Sequence, residues 1–158
     1  MVLEPLVALI AVAALGWVAI EQGYVEVPGF ELPRATSGAG YEAVAHHFSL
    51  CAGSGGTCVI DGDTIRIEGQ SVRIADIDTP EVRDYGCAEE KALGDMATLR
   101  MLELVNAGGF TMTLWDHRDE DMYGRKLRVL ERDGQSLGMM LVAEGLARPW
   151  GGARRSWC

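Results

Sequence analysis

"TIRIEGQSVRI", residues 64–74, decides how this chain folds. Ile65 and Ile67 alternate with polar residues, Glu68-Gly69-Gln70 has the composition of a turn, and Val72 and Ile74 resume the alternation. A period of two on either side of a turn predicts a β-hairpin with one face buried. Acidic motifs flank it: "DGDT" (61–64) at the head of the first strand and "RIADIDTPE" (73–81) at the tail of the second. A hairpin brings those two ends together, so the acids meet in space. Carboxylates gathered this closely repel one another, and a fold tolerates them only when they are solvated, protonated or neutralised by a cation. The period of two puts Asp61 and Asp63 on one face, and likewise Asp76 and Asp78. Arg73 and Asp78 are an odd number apart, so a straight strand would point them to opposite faces. The chain must bulge or turn between them if both serve one site, and Pro80 makes a strand end there plausible.

Downstream the same pattern returns. Residues 88–106, "AEEKALGDMATLRMLELVN", open with acids in the first turn, place Leu93, Met96, Ala97 and Leu104 on one stripe and stop at Gly108-Gly109, which predicts a helix. "FTMTLW" (110–115) and "RKLRVLE" (125–131) predict a second strand pair, joined by the charged stretch "DHRDEDMYG". After the Asp133-Gly134 turn, residues 137–144 predict a short helix closed by Gly145. Strand, strand, helix, strand, strand, helix on one core predicts an α+β, mainly β domain: a small β-barrel with helices set against it, with an open α+β sheet as the alternative. Met96, Met101, Met112, Met139 and Met140 are expected as core filler.

The 158 residues, 48% hydrophobic and 23% charged, suit one globular domain and exclude a disordered or low-complexity chain. "LVALIAVAALGWVAI" (6–20) is an uncharged apolar run with no Lys or Arg before it and no small-x-small site after it. It is expected to be a signal anchor, with a cleaved signal or a buried helix as alternatives. Residues 21–44, with Pro28 and Pro33 and no sustained period, are expected to be a linker, and residues 45–158 the folded domain. An even set of four cysteines in an exported chain suggests two disulfides. Of three pairings, Cys51–Cys58 and Cys87–Cys158 are favoured, the first closing a glycine-rich loop and the second pinning the tail. A zinc site of His46, His47, Cys51 and Cys58 is the competing reading, although its spacing fits no usual finger. "CAGSGGT" (51–57) lacks the GK[ST] ending of a phosphate loop.

A net charge of −9 argues against tight, duplex-wide binding of a polyanion. Four acids (Glu4, Glu21, Glu26, Glu31) precede the first basic residue, Arg34, which leaves about −5 on the remainder. All the basic residues but Lys91 and Lys126 are arginines, whose forked donors suit a small site gripping one or two phosphates.

In order, spacing and identity, "DGDT", "RIADIDTPE" and "DMYGR" (121–125) resemble the staphylococcal-nuclease (thermonuclease) family, and "DGQSLGMMLVAEGLA" (133–147) resembles its short second helix. The likeness runs from about residue 57 to 150. It implies a five-stranded oligonucleotide/oligosaccharide-binding (OB-fold) barrel with two packed helices, here preceded by an N-terminal hydrophobic helix, that hydrolyses DNA and RNA phosphodiesters with Ca²⁺. By position it implies Asp63, Asp78 and the Thr79 carbonyl as metal ligands, with Asp61 in support through water. Glu81 would orient or deprotonate the attacking water, Arg73 and Arg125 would grip the scissile phosphate, and Tyr123 would bond a neighbouring phosphate. Trp150 is either a nucleobase platform or a core plug. After Trp150 only "GGARRSWC" remains where the family carries a third helix, and the Cys87–Cys158 bond is expected to restrain the tail in its place. The substrate class so implied is single-stranded or unpaired DNA or RNA. The compartment is the cell envelope, with the domain facing the periplasm or exterior, or secretion if the N-terminal segment is cleaved. No protein partner is evident and a monomer is expected. The alternatives are a barrel that binds nucleic acid or protein without cleaving it, and a structural envelope protein whose acidic loop holds calcium.

Overall fold

A computed structural model describes residues 42–44 and 46–158. The predicted anchor (1–20) and most of the predicted linker lie outside the described residues. Among those described, no helix is long and apolar enough to cross a membrane.

The hairpin is present. β3 (Cys58–Asp61), β4 (Thr64–Ile67) and β5 (Gln70–Ile74) form an antiparallel meander. Glu68 and Gly69 make the two-residue turn between β4 and β5, both with positive φ (50° and 89°). That is the twist a tight hairpin demands, and glycine at the second place meets it without strain. β3 and β4 are joined more tightly than expected: Asp61 pairs with Thr64, so Gly62 and Asp63 are themselves the turn rather than the head of a strand.

A short β6 (Ile77–Asp78) follows, then α1 (Ala88–Asn106), β7 (Phe110–Leu114), β8 (Lys126–Arg132), β9 (Gln135–Ser136), α2 (Leu137–Ala143) and β10 (Arg148–Pro149). With β1 (Glu42–Val44) and β2 (Ser49–Leu50), the main sheet runs β1-β7-β8-β5-β4-β3-β2, with β9 added to β8. The decisive contact is parallel: β5 lies beside β8, Arg73 level with Leu127.

Two expectations change here. The sheet path has two ends, β1 and β2, so among the described residues it is an open sheet of more than five strands rather than a closed five-stranded barrel. In addition, residues 42–44, placed in the linker, form β1 against β7, with Val44 level with Phe110. Three residues are too few to show a period, so only the partner strand reveals them as a strand.

The core holds Ile65, Ile74, Ile77, Met101, Leu130, Leu137 and Leu141 from the sheet and both helices. Of the methionines, Met101 is fully buried and Met112 and Met140 pack against the core, but Met96 and Met139 are exposed. The buried stripe of α1 runs instead through Glu90, Gly94, Ala97, Thr98, Met101, Leu104 and Val105. Arg132 of β8 satisfies the carbonyl end of α1, donating to Leu104 O (2.7 Å), Gly108 O (2.6 Å) and Gly109 O (3.1 Å).

Both favoured disulfides are formed. Cys51 and Cys58 are therefore bonded to each other and not ligands, which removes the zinc reading. The Cys87–Cys158 bond spans 71 residues, a loop whose closure restrains the unfolded chain by about 4 kcal/mol.

α1 approaches the loop after β6 closely enough that only glycine fits at its near point. A Cβ on Gly94 would lie 2.7 Å from the Pro80 carbonyl oxygen and 3.1 Å from that of Glu81. Helix propensity alone would make Gly94→Ala stabilising by about 1 kcal/mol; the backbone contact reverses the sign. We expect the variant to lose about 1–3 kcal/mol in urea denaturation, and a raised midpoint would show that the helix can retreat freely from the loop.

Candidate active site

The acidic motifs converge because the chain turns twice. β5 ends at Ile74, Ala75 and Asp76 form a turn, and β6 restarts at Ile77, which cancels the odd spacing of Arg73 and Asp78. Arg73 is 7% exposed and lies between the two aspartates. Its Nη1 pairs with Asp63 Oδ1, its Nη2 lies 3.7 Å from Asp78 Oδ1, and Nη2 also donates to the Ile77 carbonyl at 3.3 Å. Asp63 is itself held in place: its Oδ2 accepts from Thr79 N (3.2 Å) and its Oδ1 from Thr64 Oγ1 (3.0 Å). Gly62 packs so closely that a Cβ there would meet Ala97 Cβ at 2.8 Å and Thr79 Cγ2 at 2.9 Å.

Asp76 does not join this group. Its Oδ2 accepts from Ser136 Oγ (2.6 Å), and Ser136 in turn accepts from Met139 N and caps α2. Burial pushes the Asp76 carboxyl above its ordinary range, opposed by that hydroxyl. Asp76 therefore ties β6 to the second helix, and the same-face reading of Asp76 with Asp78 fails because the turn breaks the strand.

Arg125 reaches the cluster through register. Leu127 is level with Arg73 across the β5–β8 pair. Arg125, two residues before Leu127, and Ala75, two after Arg73, share that face by the strand period. All four line a cleft of about 740 Å³, together with Tyr123, Trp150, Trp115, Arg118 and Arg154. The Arg125 guanidinium is aimed by Asp121, which accepts from its Nε at 2.7 Å and from its backbone N at 3.0 Å. Burial raises the Asp121 carboxyl, but these donors and Tyr123 N outweigh it and hold the group below the ordinary carboxylate range. Tyr123 is exposed at the cleft rim, 5.5 Å from the Arg125 guanidinium. Trp150 is half-buried in the wall, 5.9 Å from that of Arg73, so it faces the cleft rather than plugging the core.

Glu81 lies on the loop that α1 supports. Its backbone N donates to Glu90 Oε1 (3.4 Å), while Gly86 N donates to Glu90 Oε2 (2.6 Å), so the buried Glu90 clamps both ends of that loop. The Glu81 carboxylate pairs with Arg154, whose Nε also lies 3.7 Å from Asp78 Oδ1.

The donor set fits a hard, oxygen-preferring cation. Asp78 Oδ1 is buried without a hydrogen bond. Burial raises the Asp78 carboxyl and Asp63 adds to this, while Arg154, Arg73 and the Trp157 indole oppose it. Burial, reinforced by Asp63, pushes Asp61 up to about 6. Asp63, Asp78 and the Thr79 carbonyl are the residues that would hold such an ion. Asp61, Asp63 and Asp78 do not form a tight carboxylate trio, since among the described residues only Cys87, Glu90 and Cys158 lie that close together. That last trio is no metal site, since its two sulfurs are bonded to each other.

Residues 71–154 match the family model described as staphylococcal nuclease homologue. The chain belongs to that family. The matched stretch contains Arg73, Asp78, Thr79, Glu81, Tyr123, Arg125, Trp150 and Arg154, whereas Asp61 and Asp63 precede it and the β3–β4 turn brings Asp63 to Arg73. A search of curated proteins found no match. Sequence reading passed over Asp121, Glu90, Gly94 and Arg154. Gly94 did leave a signal, as an isolated glycine inside a good helical pattern. Arg154 left one only jointly with Cys158, whose bond brings the basic tail back to the site.

The sign of the acid dependence follows from Asp61. Its folded value lies above the unfolded one, so its stabilising contribution is fully present below about pH 4 and is lost as the pH rises through about 6. Over that window we expect the metal-free protein to lose thermal stability, and millimolar Ca²⁺ to abolish the loss. An identical pH profile with and without Ca²⁺ would separate these carboxylates from any ion.

Proposed function

We propose that this protein is a Ca²⁺-dependent nuclease that hydrolyses phosphodiester bonds of single-stranded or unpaired DNA or RNA, exported and tethered to the membrane by its N-terminal segment. The observation that carries the reading is the buried grouping of Asp63, Arg73 and Asp78, to which Arg154 links Glu81, with Arg125 on the cleft that Arg73 also lines. Family membership supports a nuclease-type activity.

Asp63, Asp78 and the Thr79 carbonyl would hold the calcium, with Asp61 in support through water. When bound, the ion would polarise the phosphoryl oxygen and offset the charge that develops there. Arg73 and Arg125 bind the scissile phosphate with forked donors, each charge-assisted hydrogen bond contributing about 1.5–3 kcal/mol as charge builds on the equatorial oxygens. Glu81 takes the proton from the attacking water as general base. Glu90 keeps the Glu81 loop in register, and Asp121 keeps the Arg125 fork aimed. Tyr123 at the rim bonds a neighbouring phosphate, and Trp150 offers a face to a base.

Overall acidity does not oppose this, because four arginines, 73, 118, 125 and 154, face the cleft. They concentrate positive potential where a short strand would lie. Two disulfides suit an oxidising compartment, and the apolar run 6–20 suits an anchor. The domain would then face the periplasm or exterior as a monomer.

The purified, oxidised protein should degrade single-stranded DNA and RNA with Ca²⁺ and stop when a chelator is added. Glu81→Gln and Arg73→Lys should each lower kcat by about 10²–10³ with the far-ultraviolet spectrum retained. Tight oligonucleotide binding without turnover in wild type would favour a non-catalytic binding module instead.

A further inference from the structure

We propose that Arg154 is a third phosphate-binding arginine of the cleft, delivered by a C-terminal tail that the Cys87–Cys158 bond holds over the site. The proposal rests on the nuclease reading and extends it to a segment outside the two helices and the main sheet.

The tail is fixed at both ends. At its start β10 pairs with β6, Arg148 level with Asp78, and Trp150 N donates to Asp76 O at 2.8 Å. At its end Cys158 is bonded to Cys87, the residue that opens α1. Between them the chain folds back on itself: Arg148 Nη1 donates to Ser156 O at 3.0 Å, and the Arg148 guanidinium lies 3.7 Å from the Trp157 ring centroid. From this tail Arg154 reaches the cleft. It lines the cleft with Arg73 and Trp150, pairs with Glu81 and approaches Asp78. Its neighbour Arg155 is exposed and lies off the cleft.

The environment of Arg154 is that of a ligand-exchanging group. The Arg73 side chain is 8% exposed, whereas that of Arg154 is 51% exposed, and both line the cleft. A cation bound by Asp63 and Asp78 would repel the guanidinium from Asp78. A phosphate oxygen entering beside Arg73 is then the nearest anion able to take its fork. Glu81 is freed for its water by the same exchange. The chemical class recognised is a backbone phosphate of single-stranded nucleic acid, and Trp150, one wall over, meets the adjoining base.

The test measures binding of a fluorescent, cleavage-resistant phosphorothioate strand to the oxidised protein with Ca²⁺, as a function of salt, and separately measures KM and kcat with Ca²⁺ on an ordinary single strand. Arg154→Ala should weaken binding about tenfold, reduce the log–log salt slope by about 0.7 and raise KM more than it lowers kcat. Cys158→Ser should reproduce the loss by untethering the tail. Arg155→Ala, with the same charge change off the cleft, should stay close to wild type. Unchanged binding and slope in Arg154→Ala would overturn the proposal, as would equal losses in Arg154→Ala and Arg155→Ala, which would mean diffuse attraction. Tighter binding or faster turnover in Arg154→Ala and Cys158→Ser would also overturn it, showing the tail to be an obstructing strap. Cleavage by wild type with an unaffected Arg154→Ala defeats this inference alone. Binding without cleavage defeats the nuclease reading alone, and no binding by wild type defeats both.

Discussion

The Arg73 guanidinium, buried between Asp63 and Asp78, is the contact that the rest of the site is built around. Three charges withdrawn from water are tolerated only if each is compensated, and removing one partner of such a group typically costs about 3–5 kcal/mol. The compensation joins three pieces of chain that are separate in sequence: the β3–β4 turn, strand β5 and the short β6. It leaves the group net negative, with Asp78 Oδ1 lacking a hydrogen bond and Asp61 reluctant to ionise. A site left short of positive charge in a low-dielectric pocket is arranged to receive more, from a cation, from Arg154, or from both in turn.

Close packing fixes the surroundings of that centre. Gly62 lets the turn touch Thr79 and Ala97, and Gly94 lets α1 press against the Pro80 and Glu81 carbonyls. Glu90 then ties the 81–86 loop to the same helix, one turn from the disulfide that returns the tail. The helix thus supports the Glu81 loop and anchors the C-terminus together, so tail and loop are positioned against a common element. The parallel β5–β8 contact does the corresponding work on the far wall, setting Arg125 beside Arg73.

Much of this was legible in the residues. The hairpin, both helices and the second strand pair have clear periods, and the observed bounds fall within one or two residues of those predicted. The cysteine pairing followed from loop lengths and an even count. Less was legible where an element is too short to carry a period, as with β1 and β6. The expectation of methionines as core filler misled because Met96 and Met139 are as apolar as their buried neighbours, and only the position of the sheet decides which side of a helix is covered. The open sheet path could not be read either, since closure depends on which edges meet.

The sequence by itself determined the local structure and the inventory of the site: three aspartates, a glutamate and several arginines in motifs whose order and spacing resemble one family. Tertiary structure alone decided which of them meet. The turn at Ala75 and Asp76 brings Arg73 and Asp78 together and sends Asp76 away to hold Ser136, the cap of α2, and a bond between residues 71 positions apart carries Arg154 onto Glu81. The physical reason is that periodicity is set by backbone geometry within a few residues, whereas charge compensation in a buried pocket depends on distances between segments that only packing fixes.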